Sequence, residues 1–373
     1  MYIERLWVRR FRNLTDVELE LAPGFVELHG DNGQGKTNVL EAIYVCASGR
    51  SFRLAKPQEM LQYGTEKAEI SCLFSQGGVR HEIEIRLFPK ERELIFDGRK
   101  LESLTRLFGK LPMVAFFPDD LRICKGSPED RRRFFDRLVA NSESEFIHAA
   151  LSYHRVLKTR NTLLKQAPLD TAVLASYDEQ LIAQGSVMHK LRSITLQAIL
   201  PRFKKFFYHL RGAAKEAHLE LVSGVPPSPA VFAEAFRQAL LQRFKLDCLR
   251  GQTHVGPHRA DLRLYLGDKD ARLYASQGEQ RAMVLALKLA ELQYLRELQG
   301  EAPLLILDDV ASELDGTTLL QLFGENIEMP EQVLCTHTRP LDYGAPVQRF
   351  RVEQGALAQE TVTEARIHTT SFR

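Results

Sequence analysis

Two short stretches, GDNGQGKT at residues 30–37 and LLILDD at 304–309, must meet in space although roughly 270 residues separate them. The first matches G-x-x-x-x-G-K-[ST] in full. It follows an apolar run, Phe25–His29, and opens a helical one, Lys36–Ser48, which is the strand–loop–helix context a phosphate-binding loop needs. Gly30, Gly33 and Gly35 let the backbone of the loop, with Asp31, Asn32 and Gln34, curl around a phosphate. Lys36 then reaches the β/γ oxygens and Thr37 binds Mg²⁺. The expected ligands are therefore a nucleotide's phosphates and Mg²⁺. In LLILDD the apolar residues form a buried strand that carries Asp308 to the carboxyl edge of a parallel sheet, where ligands sit in α/β folds. Asp308 is expected to hold Mg²⁺ through water, and Asp309 to polarise the attacking water. By residue type alone, capping of the next helix is the other use of such acids, more so for Asp309 than for Asp308.

Both motifs belong to one sheet, so the two ends of the chain are expected to build one α/β domain around an excursion. The patterns agree. Up to about residue 120 there are strands around one helix: Val17, Leu19 and Leu21 alternate, Lys67–Phe74 and Val79–Leu87 alternate, and Asp97–Gly98 marks a hairpin turn. Residues 129–165 and 171–207 read as two long helices, the second kinked or interrupted at Pro201, with a further helix to about Lys245. After residue 250 strands return at Asp261–Leu266 and Arg272–Tyr274, followed by a helix from Gly278 to about Gln299, the Leu304–Leu307 strand, a helix, and a strand at Gln332–Thr336. The expected domains are 1–120 and 246–373 as the two parts of the head, and 121–245 as a helical insertion.

The formal charge of +2 conceals an asymmetry. Residues 121–245 hold 20 Lys or Arg against 11 Asp or Glu, so the rest of the chain is acidic. The five cysteines are scattered with no CxxC pair, which argues against a zinc site or a disulfide framework. The start, MYIERLWVRRFRN, is charged throughout and is no signal peptide, and no apolar run approaches the roughly 20 residues a membrane helix needs. These features predict a soluble, cytoplasmic protein.

A second anion-binding helix start lies in YASQGEQRAM, residues 274–283, where Ser276, Gly278 and Glu279 precede an apolar-periodic run. SQGEQ resembles the signature motif of ABC-type ATPases. ASELD, residues 311–315, resembles their D-loop, and His337 stands where their switch histidine stands, although a lone histidine there equally suits a solvated loop. ABC-type ATPases with a split head also tolerate the wide motif spacing.

The resemblance sharpens with FRN (11–13), EAIYVCASGRSFR (41–53), PDDL and KGSPEDRRRFFDRL (118–138), YHRVLKTRNTLLK (153–165) and GPHRADL (256–262). With the motifs above, these make the chain similar to the RecF family, bacterial recombination-mediator ATPases related to SMC heads without the long coiled coil. The match runs from the N-terminus to about residue 340.

The resemblance implies an ABC-type, SMC-head-like P-loop ATPase with a helical insertion domain, and makes the expected nucleotide ATP. It implies a homodimer formed on ATP, slow DNA-stimulated ATP hydrolysis, and binding of double-stranded DNA and duplex–gap junctions. It also implies action with RecR and RecO to load RecA at gaps, in replication repair and the SOS response. Carried onto this chain, Lys36 and Thr37 bind phosphates and Mg²⁺, Asp309 and His337 act at the γ-phosphate, and Ser276, Gly278 and Glu279 supply the signature. Arg12 and Asn13 lie near the nucleotide, although a surface turn after the first strand suits them equally. The acidic pair is Asp-Asp where many ABC ATPases have Asp-Glu. Residues 101–140 contain no Gln, so no Q-loop glutamine is placed, and His258 and Arg259 receive no role.

One chain, on this reading, holds ATP with GDNGQGKT and offers SQGEQ to the γ-phosphate held by another, so that two chains complete two sites with two-fold symmetry. An excess of basic charge on helices is often only a solvated face. Here it also suits phosphates, with Arg131, Arg132, Arg133, Arg155, Lys158, Arg160, Lys204 and Lys205 as the expected DNA contacts. No base-reading helix motif is present, so contact without sequence preference is expected. The rival is the nucleotide-binding subunit of an ABC transporter, which shares the motifs but not a basic helical block of this length. A small-molecule kinase would leave the signature without a use.

Overall fold

The computed structural model describes residues 1–212, 215–226, 231–309, 330–341, 343 and 346–360. The N-terminal elements are β1 (Tyr2–Phe11), β2 (Leu14–Glu20), β3 (Gly24–His29), α1 (Lys36–Ser48), the single turn α2 (Pro57–Met60), β4 (Ala68–Gln76), β5 (Val79–Leu87), β6 (Arg92–Phe96), β7 (Arg99–Lys100) and β8 (Met113–Phe116). The middle holds α3 (Arg122–Lys125), α4 (Pro128–Ser142), α5 (Ser144–Leu163), α6 (Thr171–Arg211), β9 (Ala217–Val222), α7 (Phe232–Arg250), β10 (Asp261–Leu266), β11 (Lys269–Asp270), α8 (Ala271–Tyr274) and α9 (Gln277–Gln299). Then follow β12 (Leu304–Asp308), β13 (Gln332–His337), β14 (Val347–Glu353) and β15 (Ala356–Glu360).

Two compact units result, one of Met1–Asp119 with Leu295–Arg373 and one of Asp120–Tyr294. In the first, one sheet has the order β2-β1-β4-β5-β6-β7 and is antiparallel. The other has the order β15-β14-β3-β13-β12-β8 and is parallel except at β15. Helix α1 packs against strands of both sheets, which is why it is apolar on several faces: Val39, Leu40, Ala42, Ile43, Val45 and Cys46 are all buried. On β1, Ile3 and Leu6 are three residues apart yet both buried, because the pairing with β4 shifts register between Ile3 and Arg5. The far ends of the sequence are stapled by Gln332, whose amide donates to the Ile3 and Ala22 carbonyls (3.0 and 2.9 Å) and accepts the Ile3 N–H (2.9 Å).

The second unit packs helices around the small antiparallel sheet β11-β10-β9. It reaches past the expected boundary at residue 245 because β9, inside the basic block, pairs along its whole length with β10, from Ala217↔Leu266 to Val222↔Asp261. Four further differences from the sequence expectation have local causes. Strand β9 lies where the sequence expectation places no element, although Ala217 and Leu219 are buried and alternate with exposed His218 and Glu220. The stretch 129–165 is two helices, broken at Glu143 in extended backbone, within a run of Asn and Ser that favours local bonds over helix. Of the two outcomes expected at Pro201, the interruption does not occur: α6 continues through it, carried by buried Ile199, Phe203, Phe206 and Phe207. Arg272–Tyr274 is a helical turn, not a strand, because Asp270 caps it by accepting the Arg272 N–H (2.9 Å).

Candidate active site

The loop between β3 and α1 lies at the carboxyl edge of the parallel sheet. Gly30 has φ +145 and Gly35 has φ +116. A Cβ on Gly30 would come within 2.5 Å of the Val352 carbonyl oxygen, and one on Gly35 within 2.8 Å of the Asn13 amide. Only glycine lets the backbone fold this tightly. The Lys36 ammonium is buried under the loop and donates to the carbonyls of Gly30 (2.6 Å) and Asp31 (2.8 Å). Burial pulls its pKa down, while the carboxylates of Asp309, Asp308 and Asp31 pull it up. A cleft beside the loop is lined by Asp31, Gln34, Thr338, Arg351 and Gln354.

Asp308 ends β12 and is 3% exposed. Its Oδ1 accepts from the hydroxyls of Thr37 (3.0 Å) and Thr336 (2.7 Å). Burial raises the carboxyl's pKa, and those two hydrogen bonds oppose the rise. Asp309 follows in left-handed backbone, φ +52, with its N–H donated to the Thr336 hydroxyl (2.9 Å). A buried carboxylate and a hydroxyl at the foot of the phosphate loop are hard oxygen donors, a set that fits Mg²⁺ held jointly with phosphate oxygens. The loop's glycine geometry and its buried lysine fit the phosphates of ATP in the same way.

His337 ends β13 and pairs in register with His29, the residue before Gly30. Its side chain is buried, and Nε2 lies 2.5 Å from the Tyr343 hydroxyl. Burial, and then the charge of Lys36, hold the imidazole near a pKa of about 4, so it is neutral at physiological pH.

Asn13 meets the loop directly. Its amide donates to the Gln34 carbonyl (3.0 Å) and accepts from Asn38 (2.7 Å). Arg12 faces elsewhere: it forks onto Glu41 (3.0 and 2.8 Å) and donates to the Glu59 carbonyl (2.6 Å). Glu41, fully buried on α1, also takes Arg53 (3.2 Å) and Ser51 (2.5 Å), so Arg12 braces the helix behind the loop.

Ser276, Gly278 and Glu279 fall in the other compact unit. Glu279 accepts the Ser276 N–H (2.7 Å), and the Ser276 hydroxyl accepts the Glu279 N–H (3.3 Å), a capping box that opens α9. Lys215 holds the other Glu279 oxygen (2.9 Å); that bond and those to Ser276 hold the carboxyl down at about 2. Arg211 lies against Gly278, where a Cβ would come within 2.3 Å of its guanidinium. Ser276 and Gly278 are exposed. The D-loop stretch, 311–315, lies outside the described residues.

Burial overturns two of the expected DNA contacts. Arg131, 5% exposed, forks onto Asp261 (2.7 and 2.9 Å). Arg160, 0% exposed, binds Asp178 (2.5 Å), Asp247 (2.9 Å) and Thr253 (2.8 Å). Neither reaches a phosphate. Half-buried Arg132 donates to the Ala260 carbonyl (2.6 Å). On the surface, Arg133 pairs with Glu129 (3.0 Å) and Lys204 with Glu216 (2.6 Å), while Arg155, Lys158 and Lys205 are exposed. Arg131 and Arg132 therefore clamp the GPHRADL turn, and Arg160 ties the helices behind it to Asp247 and Thr253. His258 belongs to the same knot, its ring between the Tyr153 hydroxyl (2.7 Å) and the Thr253 carbonyl (3.1 Å), whereas Arg259 is exposed. Sequence reasoning missed Thr336, Glu41 and Tyr343 as site residues. Thr336 had one signal, a hydroxyl immediately before the strand-end histidine; Tyr343 had none.

A phosphate loop, a strand-end aspartate beside it, and an antiparallel sheet sharing helix α1 define an ABC-type ATPase head of the SMC class. The RecF/RecN/SMC N-terminal domain family matches residues 2–344. The DNA replication and repair protein RecF of Symbiobacterium thermophilum is 38% identical, covering 96% of this chain and 98% of that protein. RecF of Myxococcus xanthus is 37% identical over 91% of each. The solved structure of the recombination mediator protein RecF-ATP in the RecFOR pathway aligns with a TM-score of 0.89 at 30% identity, covering 96% of this chain and 98% of that one. An SmcHead structure shares the fold, with a TM-score of 0.57 at 16% identity and 98% coverage of both chains. The chain belongs to the RecF family.

Proposed function

We propose that this chain is an ATP-switched DNA-binding protein of recombinational repair. ATP and Mg²⁺ bind at Lys36, Thr37 and Asp308, and a second copy supplies Ser276 and Gly278 to the γ-phosphate. The closed homodimer holds double-stranded or gapped DNA on exposed basic side chains of the helical unit. Slow hydrolysis, with Asp309 orienting water, releases it. The shorter acid at Asp309, where many relatives of the class have Glu, sits further from the γ-phosphate and suits a timer. RecR, RecO and RecA are the expected partners at gaps.

The observation that carries this reading is the division of the chemistry. The phosphate loop and Asp308 sit in one compact unit, and the exposed signature helix start sits in the other. A signature with an exposed serine and glycine suits an anion brought to it from outside. Sedimentation with and without ATP tests the reading: wild type is expected to dimerise only with ATP, and Ser276→Arg to stay monomeric. Equal dimerisation of both would remove the signature from the mechanism.

A further inference from the structure

His337 has a ring nitrogen on each side of a decision about protons. Nε2 lies 2.5 Å from the Tyr343 hydroxyl, while Nδ1 is buried and has no hydrogen-bond partner among the described residues. Only one nitrogen of a neutral imidazole carries hydrogen. The hydroxyl of Tyr343 decides which.

The phenol has two acceptors within reach, Nε2 of His337 and Sγ of Cys335 at 3.2 Å. An imidazole nitrogen is a far stronger acceptor than a thiol sulfur, and it is the nearer of the two. Burial pushes the Cys335 thiol up to about 12, so it keeps its proton, which it directs at the Val26 carbonyl (3.4 Å). The phenol proton is thus free for Nε2, and an O–H donor suits a separation this short better than an N–H donor does. No proton changes owner: the phenol keeps its hydrogen and the ring keeps its own on Nδ1.

A buried N–H without an acceptor is costly and persists where a ligand completes it. His337 lies in register beside His29 at the start of the phosphate loop and feels the charge of Lys36, which serves the β/γ oxygens. We propose that Tyr343 is a positioning residue for the γ-phosphate sensor. Its phenol occupies Nε2, locks His337 in the Nδ1–H tautomer, and leaves Nδ1–H as the donor to the γ-phosphate. This rests on the reading of His337 as that sensor.

Tyr343→Phe removes one oxygen and keeps the ring stacked on Phe25 (centroids 4.7 Å apart, 23° between planes), so the fold is retained. Long-range ¹H–¹⁵N spectra of protein carrying ¹⁵N-histidine read the tautomer directly, with His337 assigned by its loss in His337→Gln. The wild type is expected to show a protonated Nδ1 and a bare Nε2. Tyr343→Phe is expected to move the proton to Nε2, the form a free histidine side chain prefers. ATP turnover at saturating ATP should fall about ten-fold or more, as for a displaced oxyanion donor, with ATP affinity little changed. A wild-type proton on Nε2, an unmoved tautomer in Tyr343→Phe, or unchanged turnover in that variant would each overturn the proposal. Full turnover in His337→Gln would instead overturn the sensor reading beneath it, a separate outcome.

Discussion

Thr336 donates its hydroxyl proton to the carboxylate of Asp308 at 2.7 Å, and the same oxygen accepts the backbone N–H of Asp309 at 2.9 Å. One buried side chain thereby sets the positions of both acids at the end of β12. Hydrogen bonds to a charged group contribute about 1.5–3 kcal/mol. Thr336→Val is expected to cost stability of that order, measured by chemical denaturation. It is also expected to raise the Mg²⁺ concentration needed for half-maximal ATP turnover several-fold, while Thr336→Ser stays near wild type. A Mg²⁺ titration unchanged in Thr336→Val would mean that Thr37 alone orients Asp308.

Glu41 is fully buried and gathers Arg12, Arg53 and Ser51 behind the phosphate loop. Removing its charge leaves two guanidinium groups facing a neutral amide. Glu41→Gln is expected to destabilise the protein by about 2–4 kcal/mol, less than for a fully enclosed pair because Arg53 reaches solvent. Calorimetric unfolding checks this. A loss below about 0.5 kcal/mol, the range of an ordinary surface substitution, would show that the cluster braces nothing.

Acid should weaken the fold through two histidines. His258 and His337 are both held near a pKa of about 4 by burial, below the ordinary value of 6.5. In this window the unfolded chain binds more protons than the folded one. Stability is therefore complete above about pH 6.5, falls as the pH drops, and reaches its floor below about pH 4. Each site accounts for up to about 3 kcal/mol. Denaturation midpoints between pH 7 and 4 are expected to fall less steeply in His258→Gln than in wild type. Parallel slopes would show that His258 protonates freely in the folded state.

Salt dependence separates the buried arginines from the exposed cations. Replacing Arg155, Lys158 and Lys205 by Ala should lower the slope of log affinity against log salt for duplex DNA by about 2–3, if each faces one phosphate. Arg160→Leu should leave that slope unchanged but cost about 3–5 kcal/mol, because it strands fully buried Asp247 and half-buried Asp178. Fluorescence anisotropy over a salt series reads the slope. An unchanged slope in the triple variant would move DNA away from these helices.

Much of the head was legible before any coordinates. The phosphate-loop motif dictates its own surroundings, so the expected helix Lys36–Ser48 coincides with α1 to the residue. The apolar run before Asp308 could only be a buried strand, and Asp97–Gly98, with φ +48 and +74, makes the turn its residue types require. Strand β9 was legible too, in the alternation of Ala217, Leu219 and Leu221 with His218 and Glu220 inside an otherwise helical, basic block.

What stayed hidden depends on non-local partners. Arg131 and Arg160 have the same side chain as a DNA-facing arginine, and only the arrival of Asp261, Asp178 and Asp247 from distant segments turns them inward. Tyr343 carries no motif, and its meaning comes from the ring nitrogen it touches. Local chemistry determined the class of the protein by itself, because phosphate binding demands particular residues at fixed spacing along a strand, loop and helix. The tertiary structure decided which charges stay in water and which proton a histidine keeps, because desolvation and hydrogen-bond partners are properties of the packed interior and are not written at any single position.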